Sequence, residues 1–227
     1  MLNPRDESLC QCLLSYGFLS SEQIKKLLFP NVDKRTMLRR LRILKKKKVL
    51  TRFESSKGGT VLWTLTSREA SRMGSDFVLR NINRSALEHD LLVNDLRIQF
   101  ETSGIGRSWR SSHYLRFKAS QALKLVERLP ETIPDWLVTI DEKVCALEVE
   151  LNFKGVLRME RVFNLYADKK SIHQLWFFVP TEKMRQKLLF LANGYRTYRG
   201  KDWVRVSLRF RLKWMQLRSI SRCKRLQ

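Results

Sequence analysis

Very little in this sequence is apolar for long. The longest apolar candidate, Leu175 to Val179, is far short of the ~20 residues a helix needs to cross a bilayer, so no such span is expected. Asp6 and Glu7 sit near the amino terminus, and no apolar stretch with a small-residue cleavage site follows, so no secretory signal is read and a cytoplasmic, membrane-free protein is expected. The four cysteines (Cys10, Cys12, Cys145, Cys223) are too dispersed for a disulfide framework and lack paired C-x-x-C spacing, which leaves ordinary thiols. Three widely separated histidines argue against a zinc enzyme or a histidine nucleophile. No glycine-rich phosphate cradle is present.

Acidic residues are also scarce: 22 Asp and Glu face 45 Lys and Arg, for a formal charge of +23. Such an excess calls for a polyanionic partner. Hydrophobic residues at 43% still supply a packed core, so a wholly disordered basic tail is excluded. The charge is uneven. Residues 1–67 carry fourteen bases and five acids, residues 194–227 eleven and one, whereas residues 81–193 carry seventeen and fourteen. The middle therefore holds most of the carboxylates, either as a solvated mixed surface or as a site that handles phosphate through a metal.

The amino-terminal third shows three helical patterns, at about 5–16, 20–29 and 33–47, with Ser20 or Ser21 opening the second, Pro30 closing it and Asp33 capping the third. On the third, Met37, Leu38, Leu41 and Leu44 share one face, and Arg35, Arg39, Arg42 and Lys46 line the opposite one at helical spacing. Val49 to Phe53 and Thr60 to Thr66 then read as a hairpin whose tip, residues 55–59, carries Lys57. Three helices followed by a hairpin is the order of a winged helix. In that fold the third helix enters the major groove and the hairpin reaches the backbone, which assigns double-stranded DNA contacts to the ridge and to Lys57. A protein-interaction module or a merely solvated face fits the same pattern.

A helical connector is expected over 68–84, then an α/β domain over 85–195: a helix from Ser85 to Thr102, strands at Ser108–Phe117, Ile133–Ile140 and Val144–Asn152, a helix at Val156–Lys170, a strand at His173–Val179 and a further helix from Thr181. His89 shares a face with Val93, Leu96 and Phe100, which reads as a satisfied core histidine. Alternation sets Asp135 apart from Trp136, Val138 and Ile140, and Glu148 and Glu150 apart from Leu147, Val149 and Leu151, so carboxylates from adjacent strands can converge. Grouped carboxylates suit Mg²⁺ or Mn²⁺, because hard cations prefer oxygen ligands.

Pro134-Asp135 followed by Glu148-Val149-Glu150 resembles the motif of the PD-(D/E)XK nuclease fold, whose core has this α-β-β-β-α-β order. The resemblance implies Asp135 and Glu148 as metal ligands, with Glu88 approaching the ion. Glu150 stands where that family has its lysine, and Lys154 is a substitute if the strand continues so far. The stretch Ala146 to Glu150, with Lys154, Arg158 and Tyr166, and Leu87-Glu88-His89-Asp90 leading to Val93, Asp95 and Leu96, is also similar to the replication-relaxation family of plasmids and other mobile elements. That family joins a winged helix to a nuclease-like domain, and the resemblance spans about residues 5–195.

Residues 196–227 form a basic arm in which Val204, Val206, Leu208, Phe210 and Leu212 alternate with Arg205, Ser207, Arg209, Arg211 and Lys213. This reads as a strand whose cations track a phosphate backbone, or as an edge strand using arginine against aggregation. Tyr195, Tyr198 and Trp203 would add base stacking if single-stranded DNA is bound. The expected fold is thus α+β or α/β, an amino-terminal winged helix, a restriction-endonuclease-like domain and a basic strand. The leading function is sequence-specific DNA binding in the replication or mobilisation of a mobile element. A Mg²⁺-dependent endonuclease using Asp135, Glu148 and Glu150, or an RNA-binding accessory protein, is the alternative. Oligomeric state has no sequence signature here.

Overall fold

A computed structural model describes residues 2–54, 59–79, 81–122, 132–199 and 203–208. The chain is mixed α and β and divides into two compact units, the first formed by residues 1–104 and 110–129 and the second by 105–109 and 130–227. Among the described residues no helix is long and apolar enough to cross a membrane.

The first unit opens with α1 (Pro4–Tyr16), strand β1 (Leu19–Ser20), α2 (Ser21–Leu28), α3 (Lys34–Lys46), β2 (Leu50–Glu54), β3 (Val61–Leu65) and α4 (Ser67–Arg72). Local chemistry sets these boundaries. Asn3 and Asp6 form a reciprocal capping box at α1, and Gly17, at φ 84°, ends it in a backbone region that glycine adopts without strain. Ser20 and Gln23 repeat the box at α2, and the Asp33 carboxylate accepts the N–H groups of Arg35 and Thr36 at α3. The two-residue β1 had no sequence signal, yet it pairs antiparallel with β3 to make a sheet of order β1-β3-β2. Met37, Leu41 and Leu44 of α3 are fully buried, as its apolar face requires.

Helix α5 (Leu87–Thr102) was expected to open the α/β domain, but its contacts lie in the first unit. Polar groups fasten it there. Asn94 Nδ2 donates to the Phe18 carbonyl at 2.9 Å, and Gln23 Nε2 to the Leu91 carbonyl at 2.9 Å. The Arg97 guanidinium, only 5% exposed, lies 3.8 Å from the centroid of the Tyr16 ring. It also donates to Ser15 and to Glu101, whose other oxygen accepts the Tyr16 hydroxyl proton. His89 is half-buried beside Asp90 rather than enclosed in the core.

Strand β4 (Arg107–Ser111) is shorter than the expected 108–117, because residues from Ser112 form α6 (Ser112–Ala122). Ser111 Oγ accepts the Tyr114 N–H, and Tyr114 and Phe117 both pack on Phe77, a spacing of three that only a helix delivers.

The second unit continues with β5 (Trp136–Ile140), β6 (Lys143–Val149), α7 (Val156–Ala167), β7 (Gln174–Val179), α8 (Glu182–Arg199) and β8 (Val204–Leu208), giving a sheet of order β4-β5-β6-β7-β8. β5 and β6 are antiparallel, and β6, β7 and β8 run parallel. The side of Ala146, Leu175, Phe177, Val204 and Val206 packs with Met159, Phe163, Met184 and Leu188 from α7 and α8. β7 is buried along its whole length, which explains its unbroken apolar sequence. Cys10, Cys12 and Cys145 are free thiols, each pushed up by burial, to about 12, 11 and 11 respectively, so they are inert at neutral pH.

Removing Arg97 leaves the Glu101 carboxylate and the Ser15 groups without their buried donor. Arg97→Ala should destabilise the first unit by about 3 kcal/mol, seen as a lower urea midpoint. A midpoint equal to wild type would show that the apolar contacts of α5 suffice.

Candidate functional site

Two sets of residues carry chemistry, one in each unit. In the first, α3 presents Arg35, Arg39, Arg42 and Lys46 on its exposed side, and none of the four joins an ion pair among the described residues. Arg40, on the same helix, points inward. Its guanidinium grips the buried Asp6 carboxylate, with Nε donating at 2.9 Å. Burial acts to raise the Asp6 pKa, but Arg40 and the Asn3 N–H outweigh it and hold the carboxyl below its ordinary value. That ion pair ties α3 to α1 and fixes which face the other four cations occupy. Lys57, at the expected hairpin tip, lies outside the described residues.

In the second unit, the pairing Trp136↔Leu147 continues outward to set Asp135 opposite Glu148. Asp135 Oδ2 accepts the Val149 N–H at 2.8 Å. Glu148 shares the sheet face of Ala146, toward α7, and accepts the Tyr166 hydroxyl proton. Burial, with the Asp135 charge adding to it, pushes the Glu148 carboxyl well above its usual range, although the Tyr166 hydrogen bond and Lys154 oppose the shift. Tyr166 is raised too, by its own burial first and then by Glu148. Glu150 is 5% exposed and its two oxygens meet Lys154 Nζ at 2.9 and 2.8 Å. Neither glutamate is open to solvent as a free strand face would leave it: Glu148 meets Tyr166 of α7, and Glu150 is buried against Lys154.

Lys154 does not extend the strand, since β6 ends at Val149; it reaches the cluster from the loop before α7. Glu88 is exposed and belongs to the first unit, apart from the unit that holds Asp135 and Glu148. Sequence reasoning missed Lys169. Its ammonium donates to the Thr132 carbonyl at 2.7 Å, lies 5.3 Å from the Tyr166 ring centroid and feels the Glu148 charge, while burial depresses its pKa. A lysine two residues past a helix end carries no signal that could have placed it there.

Among the described residues no group of three or more His, Cys, Asp or Glu side chains is set to hold a metal ion. The oxygen donors of Asp135 and Glu148 fit a hard divalent cation, which commonly takes one or two carboxylates and completes its shell with water and phosphate oxygens. Glu150 fits less well, because Lys154 already neutralises it.

The arm is only partly described. Val204 and Val206 pack into the core and Arg205 lies on the other face, as alternation required, but Arg205 is half-buried with its guanidinium 5.0 Å from the Trp176 ring centroid. Arg209, Arg211 and Lys213 lie outside the described residues. The stacking role expected of two aromatics is corrected: Tyr195 is stacked on Phe163 at 5.2 Å and donates to Asn164 Oδ1, and Trp203 is 2% exposed. The side chain of Tyr198 lies outside the described residues.

The family model for replication-relaxation matches residues 11–168, more than half of the chain, across α1 through α7. The chain belongs to the replication-relaxation family. Comparison with curated proteins and with solved structures finds no match. Membership ties the chain to the replication or relaxation of plasmids and other mobile elements, with nucleic acid as the partner class.

Glu148 keeps its proton in the folded state to a higher pH than in the unfolded chain, so its contribution falls as pH rises from the ordinary glutamate value toward its raised one. Glu148→Gln removes that loss. In urea melts with chelator, the variant should gain on wild type between pH 4.5 and pH 8; a constant difference would show an unshifted carboxyl.

Proposed function

We propose that this replication-relaxation protein is a cytoplasmic, sequence-reading double-stranded DNA-binding protein of a mobile element, whose first unit acts as a winged helix. The observation that carries the reading is the exposed, unpaired ridge of Arg35, Arg39, Arg42 and Lys46 on α3, held outward by the inward Asp6–Arg40 pair. Helix α3 follows α2 directly and precedes the β2–β3 hairpin, the placement of a groove-reading helix and its wing. Cations on such a helix reach base edges and phosphates together. Lys57 and the arm residues Arg205, Arg209, Arg211 and Lys213 would add backbone contacts, which position the protein without reading sequence.

The double substitution Arg39→Ala/Arg42→Ala should erase preference for the cognate site and leave much of the non-specific binding. Footprints unchanged from wild type would remove α3 from the groove. In wild type, six to ten phosphate contacts would cost roughly 10³–10⁵ in affinity between 50 and 200 mM salt, read by titration across that range.

A second reading has its own support, the facing of Asp135 and Glu148 across β5 and β6 with Lys154 and Lys169 beside them. In it the second unit is a PD-(D/E)XK-type nuclease or nickase that holds Mg²⁺ or Mn²⁺ through Asp135 and Glu148. The metal would supply Lewis-acid polarisation of a phosphodiester. Glu150 would orient Lys154, and Lys154 would bind phosphate. Asp135→Ala should then abolish Mn²⁺-supported nicking of supercoiled DNA while leaving DNA affinity equal or higher, because a carboxylate near phosphate is lost. Cleavage retained by the purified variant would refute this site.

A further inference from the structure

The face of α7 and α8 turned away from the sheet carries a pattern that neither reading uses. On α8 the buried residues Met184, Leu188 and Ala192 recur at intervals of four. Lys183, Lys187 and Phe190 form a separate exposed stripe at offsets of four and seven. Phe190 is 77% exposed although it stands on a helix whose other side is core, and Leu157, at the start of α7, is 83% exposed. Lys187 Nζ lies 5.1 Å from the ring centroid of Phe153, so the α8 stripe borders the loop that carries Lys154. Arg158 is exposed on α7 as well. Of the acids nearby, Glu182 is bound by Arg185 and Glu160 is half-buried.

We infer that this α7–α8 face is a single-stranded DNA surface, with Phe190 as a base-stacking platform and Lys183 and Lys187 as backbone contacts. An exposed ring next to cations offers what an unpaired base needs, a π-face beside a charge for its phosphate. A duplex keeps its base faces stacked on one another, so it offers the ring no open π-face without the cost of unstacking a step. The charge of the stripe is uniformly positive, which suits an anion. Only Val156, Leu157 and Phe190 are large exposed apolar residues among those described, few for the apolar centre of a protein interface. The surface is independent of α3, which belongs to the other unit, so a chain in the replication of a mobile element would hold a duplex and an opened strand at separate places.

The test uses the full chain and three probes in parallel: a dT20 oligonucleotide, a 20-base-pair duplex, and phosphatidylserine/phosphatidylcholine vesicles. Phe190→Ala should weaken dT20 binding by roughly 5- to 150-fold, the range for loss of one stacked base, and leave duplex affinity unchanged. Phe190→Trp should restore it. Lys183→Gln/Lys187→Gln should flatten the log–log salt slope on dT20 by about 1.4, since each phosphate contact on a single strand contributes about 0.7. Thermal melts confirm folding, which an exposed side chain does not threaten. Failure of wild type to bind dT20, dT20 affinity unchanged in Phe190→Ala, or an equal loss on duplex would overturn the inference. Loss of vesicle binding with dT20 binding intact would reassign the face to a membrane surface. Arg39→Ala/Arg42→Ala separates the two readings, because it should alter duplex recognition and leave dT20 binding as it was.

Discussion

The register between β5 and β6 is the constraint on which the second unit depends. Ile140 pairs with Lys143, so only Asp141 and Glu142 make the turn, and both adopt positive φ, 46° and 61°. Two consecutive residues in that region mark a type I′ hairpin, which matches the right-handed twist of its strands. Asp141 is a residue such turns accept, but Glu142 is not, and its left-handed conformation costs roughly 1–2 kcal/mol. The strands must repay this, and they do so by burying Trp136, Val138, Ile140, Cys145, Leu147 and Val149. A slip of one residue would turn each of those side chains to the wrong face and would also separate Asp135 from Glu148. The same pairing that makes the core therefore makes the carboxylate site.

The first unit depends on a different device, polar groups buried between helices. Asp6 with Arg40, Gln23 with the Leu91 carbonyl, Asn94 with the Phe18 carbonyl and Arg97 with Ser15 each join elements distant in sequence. Such contacts contribute little net energy, but an unmet partner in the interior is costly, so they discriminate against other packings. This directional role suits a unit whose proposed task is to present one face of α3 and keep the adjacent arginine inward.

Most helices were legible because their apolar spacing and caps agree, as at Ser20 and Asp33. Strands β5 to β7 were legible for the same reason, though β5 and β6 each start or end a few residues inside the expected spans. The failures have physical causes. Ser108 to Phe117 looks extended by composition, yet Ser111 caps a helix and Phe77 rewards the spacing of Tyr114 and Phe117, a tertiary effect that no local pattern carries. Helix α5 groups with the first unit through Asn94 and Arg97, polar residues whose contacts with Phe18 and Ser15 leave no apolar periodicity to read. The facing of Asp135 and Glu148 was legible from strand parity. The contributions of Tyr166 and Lys169 were not, because they enter from α7 and the turn beyond it and meet the strands only in three dimensions.

The carboxylate cluster and the basic surface also solve one electrostatic problem together. A chain of net charge +23 that binds phosphate gains most when its acids lie away from the nucleic acid. Glu150 is buried against Lys154, Glu148 is held by Tyr166 under α7 with its proton retained to higher pH, and Asp135 is spent on a strand N–H. Lysine pairing, protonation and hydrogen bonding each reduce the negative potential that the cluster sends to solvent. The exposed faces of α3 and α8 keep their cations without acidic partners among the described residues, apart from the Lys34–Glu22 pair at the start of α3 and the Arg185–Glu182 pair at the start of α8. Acids drawn inward and cations left outward thus let a domain rich in carboxylates coexist with exposed cationic faces.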